Sequence, residues 1–457
     1  MSGLITHLLS RGDAIALRSP KGDTTYRDIA LLFEQAIKNL RGAGVAAGMR
    51  VFFQPSQDRL SIVTLLALFE LETCVVLGNS RWPESIIGAV KKRSGVSLSI
   101  VGDNTERPCV SRETNTSVVC GERAVGGSVI IPTSGSSGEP KLALLPIDRL
   151  LASAQGALNV CALSVQNCWQ LSLPLFHVGG IGVVLRSIMA GSSIRLSSPA
   201  ELMIGDSASF VTHLSLVPTQ LYRLIRDSQG VEFLRRQKAI FLGGAPVGAH
   251  LCREALSLDI PIMPTYGLTE MSSLVTLERS PFVNTRDQVS VGCSVPGREV
   301  SLSGEGEILV RGATLFAGYV GEEGILPSLD EDGWFHTRDR GSVGVGGELF
   351  VAGRTDSQFI SGGENIHPEM IEVALTSIAP IVAACVVPAP DEEFGCRPVA
   401  FVVCDGGELD QSEVRAKLRS LLPSYAIPVG IHCAPRELVS SSGKIQRDMA
   451  LALLQKS

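Results

Sequence analysis

Apolar residues recur first with a helical period and then in short continuous runs. Between residues 24 and 50 the spacing is i, i+3, i+4 and i+7, which predicts an amphipathic helix ending near Gly42 and Gly44. The apolar runs 51–53 and 73–77 predict buried strands on either side of a helix over residues 61–72. This alternation predicts a layered α/β architecture. The apolar positions of the first helix are Ile29, Leu32, Phe33, Ala36 and Leu40.

Three further apolar runs each lead into a turn rich in Gly, Ser or Pro. They span residues 128–132, 169–173 and 239–242, and the last is followed by Gly243 and Gly244. Open α/β sheets bind ligands at the carboxyl ends of their strands, so these turns are the expected location of a binding site.

The pattern changes after about residue 290. Short strands separated by glycines, such as 307–311 and 348–352, predict a meander or a small β-barrel. The last hundred residues predict a separate α+β unit, with helices over 370–376 and 412–421 and strands over 383–387 and 399–403. The predicted fold class is therefore α/β plus α+β. A large N-terminal domain (1–353) holds layered α/β subdomains and a small β-barrel-like part, and a smaller α+β domain follows (354–457).

Composition excludes several classes of function. The 457 residues are 45% apolar and 19% charged, as in ordinary globular proteins. The net charge is −6, from 40 basic and 46 acidic residues, and no run of Lys or Arg is longer than three residues, which argues against a nucleic-acid partner. The most apolar long window, 60–78, carries Glu70 and Glu72, so no membrane span is predicted.

The cysteines and the N-terminus indicate the compartment. Eleven cysteines, an odd number without a C-x-x-C pair or zinc-type spacing, predict free and mostly buried thiols. The N-terminal residues lack a basic segment followed by a long apolar stretch, so no signal peptide is expected. A cytoplasmic protein is predicted, and association into a homo-oligomer stays open.

The strongest local signal is the segment 132–141, Pro-Thr-Ser-Gly-Ser-Ser-Gly-Glu-Pro-Lys. Its glycines let backbone N–H groups turn toward an anion, its hydroxyls add donors, and Lys141 adds a cation, which favours a phosphate-binding loop. It is not a Walker A motif. A polar surface loop is the alternative, although the preceding strand and the Pro-Lys pair argue against it.

Five motifs in this order resemble the adenylate-forming superfamily of acyl-CoA synthetases, adenylation domains and luciferases. The resemblance covers about residues 24–447. The motifs are the loop just described, Tyr266-Gly-Leu-Thr-Glu270, Gly333-Trp-Phe-His-Thr-Arg-Asp-Arg-Gly341, residues 353–372 with Gly353-Arg-Thr-Asp356 and Ser361-Gly-Gly-Glu, and Ser442-Gly-Lys-Ile-Gln-Arg447.

The resemblance implies a two-step reaction in which ATP converts a carboxylate into an acyl-AMP and a thiol then displaces AMP. Thr269 would bind the α-phosphate, Glu270 would hold Mg²⁺, and Lys444 would bridge the carboxylate and the α-phosphate as the main catalytic residue. The β- and γ-phosphates would lie on Thr133, Ser134, Gly135, Ser136, Ser137, Gly138 and Lys141.

The same resemblance assigns the nucleoside and the second domain. Asp339 would accept from both ribose hydroxyls, although an ion pair with Arg338 or Arg340 is the alternative, and Arg354 would face the ribose or phosphate. The small domain would adopt two orientations about a hinge at Asp356, and the strand at Ser361, Gly362 and Gly363 would build the pantetheine tunnel for CoA. The adenine slot would comprise Gly243, Gly244, Ala245, Pro246, Tyr266 and Gly267.

A narrower resemblance is to the o-succinylbenzoate–CoA ligase family of menaquinone biosynthesis. It rests on segments 150–156, 171–180, 215–220, 297–300 and 391–398. The substrate would be an aromatic dicarboxylic acid whose second carboxylate needs a cation or donors, and each arginine could instead be a solvated helix residue. The candidate acid-binding residues are His177, as a wall or gate, and Arg186, Ser215, Thr219, Gln220 and Arg223.

Several other functions stay open at this point. Another aryl- or acyl-CoA ligase would share every motif, and a carrier-loading adenylation enzyme would differ only in its acceptor. A luciferase-like oxidase would need oxygen. A nucleotide-binding pseudoenzyme is disfavoured because Lys444, Glu270 and Asp339 are all present.

Overall fold

A computed structural model of the chain describes most of its residues. The described residues are 11–101, 109–112, 127–133, 140–196, 210–286, 288–321, 324–326, 328–354, 357–378, 380–404, 409–434, 445 and 447–454. The chain forms two compact units: one holds residues 1–80, 91–132 and 142–353, and the other holds 81–90, 133–141 and 354–457. The two short segments in the second unit were not part of the predicted division.

The helices and strands alternate through the first unit and continue into the second. The helices are α1 (Tyr26–Gly42), α2 (Arg59–Glu70), α3 (Glu84–Ser94), α4 (Ile147–Cys161), α5 (Val178–Ala190), α6 (Pro218–Leu224), α7 (Ser228–Arg235), α8 (Ala249–Ser257), α9 (Pro368–Thr376), α10 (Gln411–Leu421) and α11 (Arg447–Leu454), with 3-10 turns at Thr269–Met271 and Ser424–Ala426. The strands are β1 (Ile15–Arg18), β2 (Thr24–Thr25), β3 (Arg50–Gln54), β4 (Cys74–Leu77), β5 (Leu98–Val101), β6 (Cys109–Arg112), β7 (Ser128–Thr133), β8 (Lys141–Pro146), β9 (Cys168–Gln170), β10 (Ser193–Arg195), β11 (His213–Leu216), β12 (Ala239–Leu242), β13 (Ile262–Leu268), β14 (Ser273–Leu277), β15 (Cys293–Ser294), β16 (Arg298–Leu302), β17 (Glu307–Gly312), β18 (Gly318–Gly321), β19 (Gly324–Leu326), β20 (Phe335–Val343), β21 (Leu349–Arg354), β22 (Phe359–Ser361), β23 (Glu364–Ile366), β24 (Ile381–Asp391), β25 (Gly395–Cys404) and β26 (Gly430–Cys433).

Local sequence explains where the first helix begins. Thr25 caps α1 by accepting from the Asp28 N–H at 3.1 Å, and the Asp28 carboxylate accepts from the Thr25 N–H at 3.0 Å. This reciprocal capping box satisfies two backbone donors that the first turn leaves without partners. The predicted helix over this segment is therefore confirmed, including its end at Gly42.

Two large sheets dominate the first unit. One has nine strands in the order β15-β14-β13-β12-β11-β9-β10-β1-β2, and the other has eight in the order β19-β18-β8-β7-β4-β3-β5-β6. Strands β9, β11, β12 and β13 of the first sheet run parallel, so their carboxyl ends share one edge. A four-stranded sheet, β16-β17-β20-β21, lies where a meander or small barrel was predicted.

One predicted strand is shorter than expected. The apolar run 169–173 belongs to β9 only as far as Gln170. The side-chain amide of Gln57 donates to the carbonyls of Leu171 and Leu173, both at 3.0 Å, so these groups find a side-chain partner outside the sheet. The chain then leaves the ladder toward Pro174 and α5.

The second unit contains the predicted α+β elements of the C-terminal region. Strands β24 and β25 form a long antiparallel hairpin, to which β26 adds in parallel, and α9 packs on β24. Strands β22 and β23 form a separate two-stranded hairpin. The hairpin β24–β25 extends well beyond the predicted strands on both sides.

Membrane and thiol predictions can be compared with the described residues. No helix among them is long and apolar enough to cross a membrane. The apolar window 60–78 forms α2 and β4, as predicted, and α2 is buried from Ser61 to Phe69. Nine of the described cysteines are free, and five of these nine are buried.

The ion pairs of His336 are expected to make a pH-dependent contribution to the free energy of unfolding. Its ring nitrogens lie 2.9 Å from Glu307 Oε2 and 3.3 Å from Asp330 Oδ2, and the hydrogen bond to Glu307 raises the pKa of His336. Because the folded pKa lies above the unfolded one, the contribution is present below about pH 6.5 and is lost as pH rises through the raised pKa.

We therefore expect His336→Gln to lower the free energy of unfolding at pH 6.0 and to leave it nearly unchanged at pH 8.5. The side chain is 48% exposed, so the loss should be small, about 0.2–1 kcal/mol as for other exposed ion pairs. Urea unfolding at the two pH values measures it. An equal loss at both would contradict the assignment.

Candidate functional site

The site is built at the shared edge of the parallel strands. Gly243 and Gly244 follow β12, and the segment from Tyr266 to Glu270 ends β13 and continues it, while Leu242 pairs with Pro264 across the two strands. A Cβ on Gly243 would lie 2.2 Å from Thr265 Oγ1, and Gly244 has φ of +76°. Both positions therefore require glycine, and the strand ends lie side by side as the sequence predicted.

Tyr266 and Asp339 meet although 73 positions separate them. The Tyr266 hydroxyl donates to Asp339 Oδ2 at 2.7 Å. The Asp339 N–H donates to Thr337 Oγ1 at 3.0 Å, and Thr337 in turn donates to the carbonyl of Ile308 at 2.7 Å. An aromatic ring in contact with a fixed carboxylate suits a nucleoside. A face of the Tyr266 ring can stack on a base, and the second oxygen of the Asp339 carboxylate can accept from the hydroxyls of the sugar.

Glu270 lies in the 3-10 turn between β13 and β14. The Tyr319 hydroxyl donates to Glu270 Oε1 at 2.5 Å, and the Glu270 carbonyl accepts from the Phe316 N–H at 2.7 Å. Ser272 and Ser273, just beyond it, have φ of 54° and 107°, which is rare for residues with a side chain. Strained backbone of this kind tends to occur at functional sites.

The donor set around Glu270 fits Mg²⁺ in one specific way. Among the described residues, no group of three or more His, Cys, Asp or Glu side chains could hold a metal ion. Mg²⁺ is often bound by one or two carboxylates together with substrate phosphates and water. A single carboxylate such as that of Glu270 matches that mode and not an all-protein cage.

Arg186 is a buried cation that packs against residues of β9 and β12. It lies on α5 and is 4% exposed, its guanidinium carbon is 4.6 Å from the centroid of the Trp169 ring and 5.7 Å from that of Phe241, and its Nε has no hydrogen-bond partner among the described residues. Burial lowers the pKa of Arg186 to about 10, so it remains charged at neutral pH. A buried charge without an acid partner favours binding of an anion.

The other acid-binding candidates differ in their surroundings. Ser215 and Thr219 are buried, whereas Arg223 is exposed on α6, which favours its alternative interpretation as a solvated helix residue. Gln220 Oε1 accepts from the Val217 N–H at 3.0 Å and so caps α6. His177 is the N-cap residue of α5, and its ring lies 4.8 Å from that of Phe176.

Only the two ends of the predicted phosphate loop, and not the predicted catalytic lysine, lie among the described residues. Ser134, Gly135, Ser136, Ser137, Gly138, Asp356 and Lys444 lie outside the described residues. Thr133 ends β7 and Lys141 begins β8, and the Thr133 hydroxyl donates to the Lys141 carbonyl at 3.5 Å. Ala245 and Pro246 lie in the loop after β12.

The second unit contains the remaining candidates. The Ser361–Glu364 segment was predicted as a strand, but it contains the two-residue turn of the hairpin β22–β23, with φ of 58° at Gly362 and 87° at Gly363. Positive φ at both central positions is the requirement of a type I′ turn, which explains the Gly-Gly pair. Arg354 is the last residue of β21.

Sequence reasoning missed several residues that hold the site. Trp169, Phe241 and Tyr319 contact predicted site residues from other parts of the chain, and Thr337 accepts from the Asp339 N–H within one motif without having been singled out. The apolar strand patterns included the first two without marking them as special. In the second unit, Arg447 of the last motif donates to Glu372 Oε1 at 2.7 Å and to the carbonyl of Val386 at 2.8 Å.

Comparisons with known proteins agree with these features. The family model "AMP-binding enzyme" matches residues 124–320, and "AMP-binding enzyme C-terminal domain" matches residues 370–444. The 2-succinylbenzoate–CoA ligase of Escherichia coli (strain K12) is 31% identical over 453 residues, which covers 98% of this chain and 96% of the relative. The ligase of the same name from Haemophilus influenzae is 32% identical over 404 residues and covers 85% of this chain and 84% of the relative.

Solved structures show the same fold. Wild-type E. coli MenE with a bound phenylether-linked analogue of OSB-AMS has a TM-score of 0.66 at 29% identity, covering 99% of each chain. A double mutant of o-succinylbenzoate CoA synthetase from Bacillus subtilis, bound with a product analogue, has a TM-score of 0.83 at 21% identity and covers 98% of this chain and 97% of that one. The chain belongs to the AMP-binding enzyme family and, within it, to the 2-succinylbenzoate–CoA ligases.

Proposed function

We propose that this chain joins 2-succinylbenzoate to coenzyme A through an acyl-AMP, releasing AMP and pyrophosphate, as a step of menaquinone biosynthesis. The observation that carries the choice of acid is the buried Arg186, whose charge has no acid partner among the described residues. A second carboxylate on an aromatic substrate would supply one. The relatives named above support the same reaction.

The chemistry explains why a nucleotide site is needed. A carboxylate is a poor acyl donor because its leaving group would be oxide. When a carboxylate oxygen attacks the α-phosphorus of ATP, the bond to pyrophosphate breaks and the acyl group gains AMP as a good leaving group. A thiol then attacks the carbonyl carbon and expels AMP. Charge builds on phosphoryl oxygens in the first step, so positioning and electrostatic stabilisation carry the catalysis.

The nucleotide would lie at the carboxyl ends of β12 and β13, beside Asp339 of β20. Gly243, Gly244, Ala245, Pro246 and Gly267 would line the adenine together with the ring of Tyr266. Thr269 would donate to the α-phosphate, and the predicted loop from Thr133 to Lys141 would hold the β- and γ-phosphates. Mg²⁺, held through Glu270 and the phosphates, would neutralise charge on the triphosphate when bound.

Asp339 would hold the ribose. We expect Asp339→Ala to raise the KM for ATP by about 10- to 100-fold, since a hydrogen-bonded charged group contributes roughly 1.5–3 kcal/mol. Initial rates against ATP concentration measure this effect, and the KM for the acid should change little. An unchanged ATP dependence would contradict the ribose role.

The second unit would supply one group for the adenylation step and another for the step with CoA. Lys444 would act in adenylation, Arg354 would face the ribose or phosphate, and the hairpin turn at Ser361, Gly362 and Gly363 would contact pantetheine. We propose residues 1–353 and 354–457 as the two domains, with a hinge at Asp356. A cytoplasmic location and Mg²⁺ as the metal are part of the same proposal.

Pyrophosphate release tests the function directly. The enzyme is mixed with ATP and Mg²⁺, with and without CoA, and with o-succinylbenzoate, benzoate, succinate or medium-chain fatty acids. Turnover restricted to o-succinylbenzoate, and sustained only with CoA, is the expected result. Turnover with another acid would retain the reaction and reject the substrate, and failure of CoA as acceptor would favour a carrier-loading enzyme. The absence of pyrophosphate release with every acid would favour a pseudoenzyme.

A further inference from the structure

Among the described residues, Arg186 contacts aromatic rings and forms no ion pair with an acid. Its guanidinium carbon lies 4.6 Å from the centroid of the Trp169 ring and 5.7 Å from that of Phe241, and these two rings meet edge to face at 5.1 Å. The neighbouring His213 adds no charge at neutral pH, since burial lowers its pKa to about 4. The orientation of the guanidinium therefore depends on the rings that enclose it.

The Trp169 ring is itself fixed. The side chain is fully buried, and its Nε1–H donates to Ser215 Oγ at 3.1 Å. Ser215 pairs with Phe241 in the register of β11 and β12, so the hydroxyl and the second ring belong to adjacent strands. The indole also contacts the His213 ring, with 5.2 Å between the ring centroids. One hydrogen bond thus sets the rotation of the ring on which Arg186 rests.

We propose that Trp169, fixed by Ser215, is a positioning residue for substrate specificity: it aims the Arg186 guanidinium at the ring carboxylate of the acid. This inference rests on the proposed function. Cation–π contact is strongest with Trp and in desolvated surroundings, and both conditions hold here. Ser215, predicted as a direct acid ligand, gains a second role, because its oxygen accepts from the indole while its own proton stays available to substrate.

The test compares two acids that differ by one carboxylate. 4-Oxo-4-phenylbutanoate is o-succinylbenzoate without the ring carboxylate, so it can be adenylated without contacting Arg186. The ratio of kcat/KM for the two acids reports recognition of that carboxylate alone. A merely structural role of Trp169 would lower both values together and leave the ratio unchanged.

Four variants separate the contributions. Trp169→Leu removes the aromatic face and should lower the ratio at least 10-fold. Trp169→Phe keeps a smaller face without the N–H, and Ser215→Ala keeps the indole without its acceptor; each should lower the ratio about 3- to 10-fold. Trp334→Leu is the control. The Trp334 ring contacts Arg311, whose guanidinium carbon lies 4.2 Å from the ring centroid, and neither residue belongs to the Arg186 cluster. The ratio of kcat/KM for the two acids should be unchanged in this variant.

A double-mutant cycle completes the experiment. If Trp169 acts through Arg186, then adding Trp169→Leu to Arg186→Met should lower the ratio no further than Arg186→Met alone. Additive losses, or unchanged ratios in Trp169→Phe and Ser215→Ala, would overturn the inference. If the wild-type protein does not prefer o-succinylbenzoate over the analogue, the proposed function fails and the inference fails with it. A preference that survives every Trp169 and Ser215 variant rejects the inference alone.

Discussion

Replacing Lys444 by Ala is expected to abolish acyl-AMP formation and to leave transfer of a supplied acyl-AMP to CoA largely intact. A cation between the carboxylate and the α-phosphate offsets the repulsion of two anions and stabilises the charge that develops. Removing one such group lowers a rate by about 10²–10³. Lys444 lies outside the described residues, so the prediction rests on the motif Ser442-Gly-Lys-Ile-Gln-Arg447.

The two half-reactions are measured separately. Pyrophosphate release in the presence of ATP and acid reports the first, and thioester formation from synthetic acyl-AMP and CoA reports the second. Lys417→Ala is a matched control, because Lys417 is an exposed lysine of the same unit that pairs with Glu413 at 2.7 Å. Equal loss of both half-reactions in Lys444→Ala would contradict a role confined to adenylation.

Replacing Arg186 by Met is expected to lower kcat/KM for o-succinylbenzoate by roughly 30- to 1,000-fold. Truncating one partner of a buried charge pair costs about 2–4 kcal/mol in binding, much of it from the charge left unpaired. Here that unpaired charge would be the ring carboxylate of the substrate. Met keeps much of the volume and apolar character of the arginine stem.

The same substitution should not destabilise the unliganded protein. Arg186 is a buried charge with no acid partner among the described residues, and replacing such a group by an apolar residue of similar size is often neutral or stabilising. We expect the melting temperature of Arg186→Met to be unchanged or higher while activity falls. A large drop in melting temperature would instead indicate a structural role.

Arg223→Met is the informative comparison for that experiment. Arg223 is exposed on α6, so its loss should change kcat/KM for o-succinylbenzoate by less than about threefold, in line with the small value of exposed charges. Steady-state kinetics with o-succinylbenzoate and thermal unfolding of both variants decide the point. Unchanged affinity in both arginine variants would remove the assigned anion site.

Local elements were largely predictable because they depend on neighbouring residues. The helix from Tyr26 to Gly42 follows from its apolar spacing and its capping box, and β12 follows from four apolar residues before a glycine pair. β9 ended early because Gln57, more than 110 positions away, binds the carbonyls of Leu171 and Leu173. A contact between distant segments leaves no periodic signal in either of them.

The sequence by itself determined the order of α/β and α+β elements, since each element depends on spacing within a short segment, and the resemblance carried by the shared motifs implied the reaction class. Only the tertiary structure decided which residues meet. It placed the Tyr266 hydroxyl on Asp339, gave Glu270 its partner Tyr319, and separated the buried Arg186 from the exposed Arg223. The physical reason is that burial and hydrogen bonding across strands arise from packing, and packing joins residues that the chain keeps far apart.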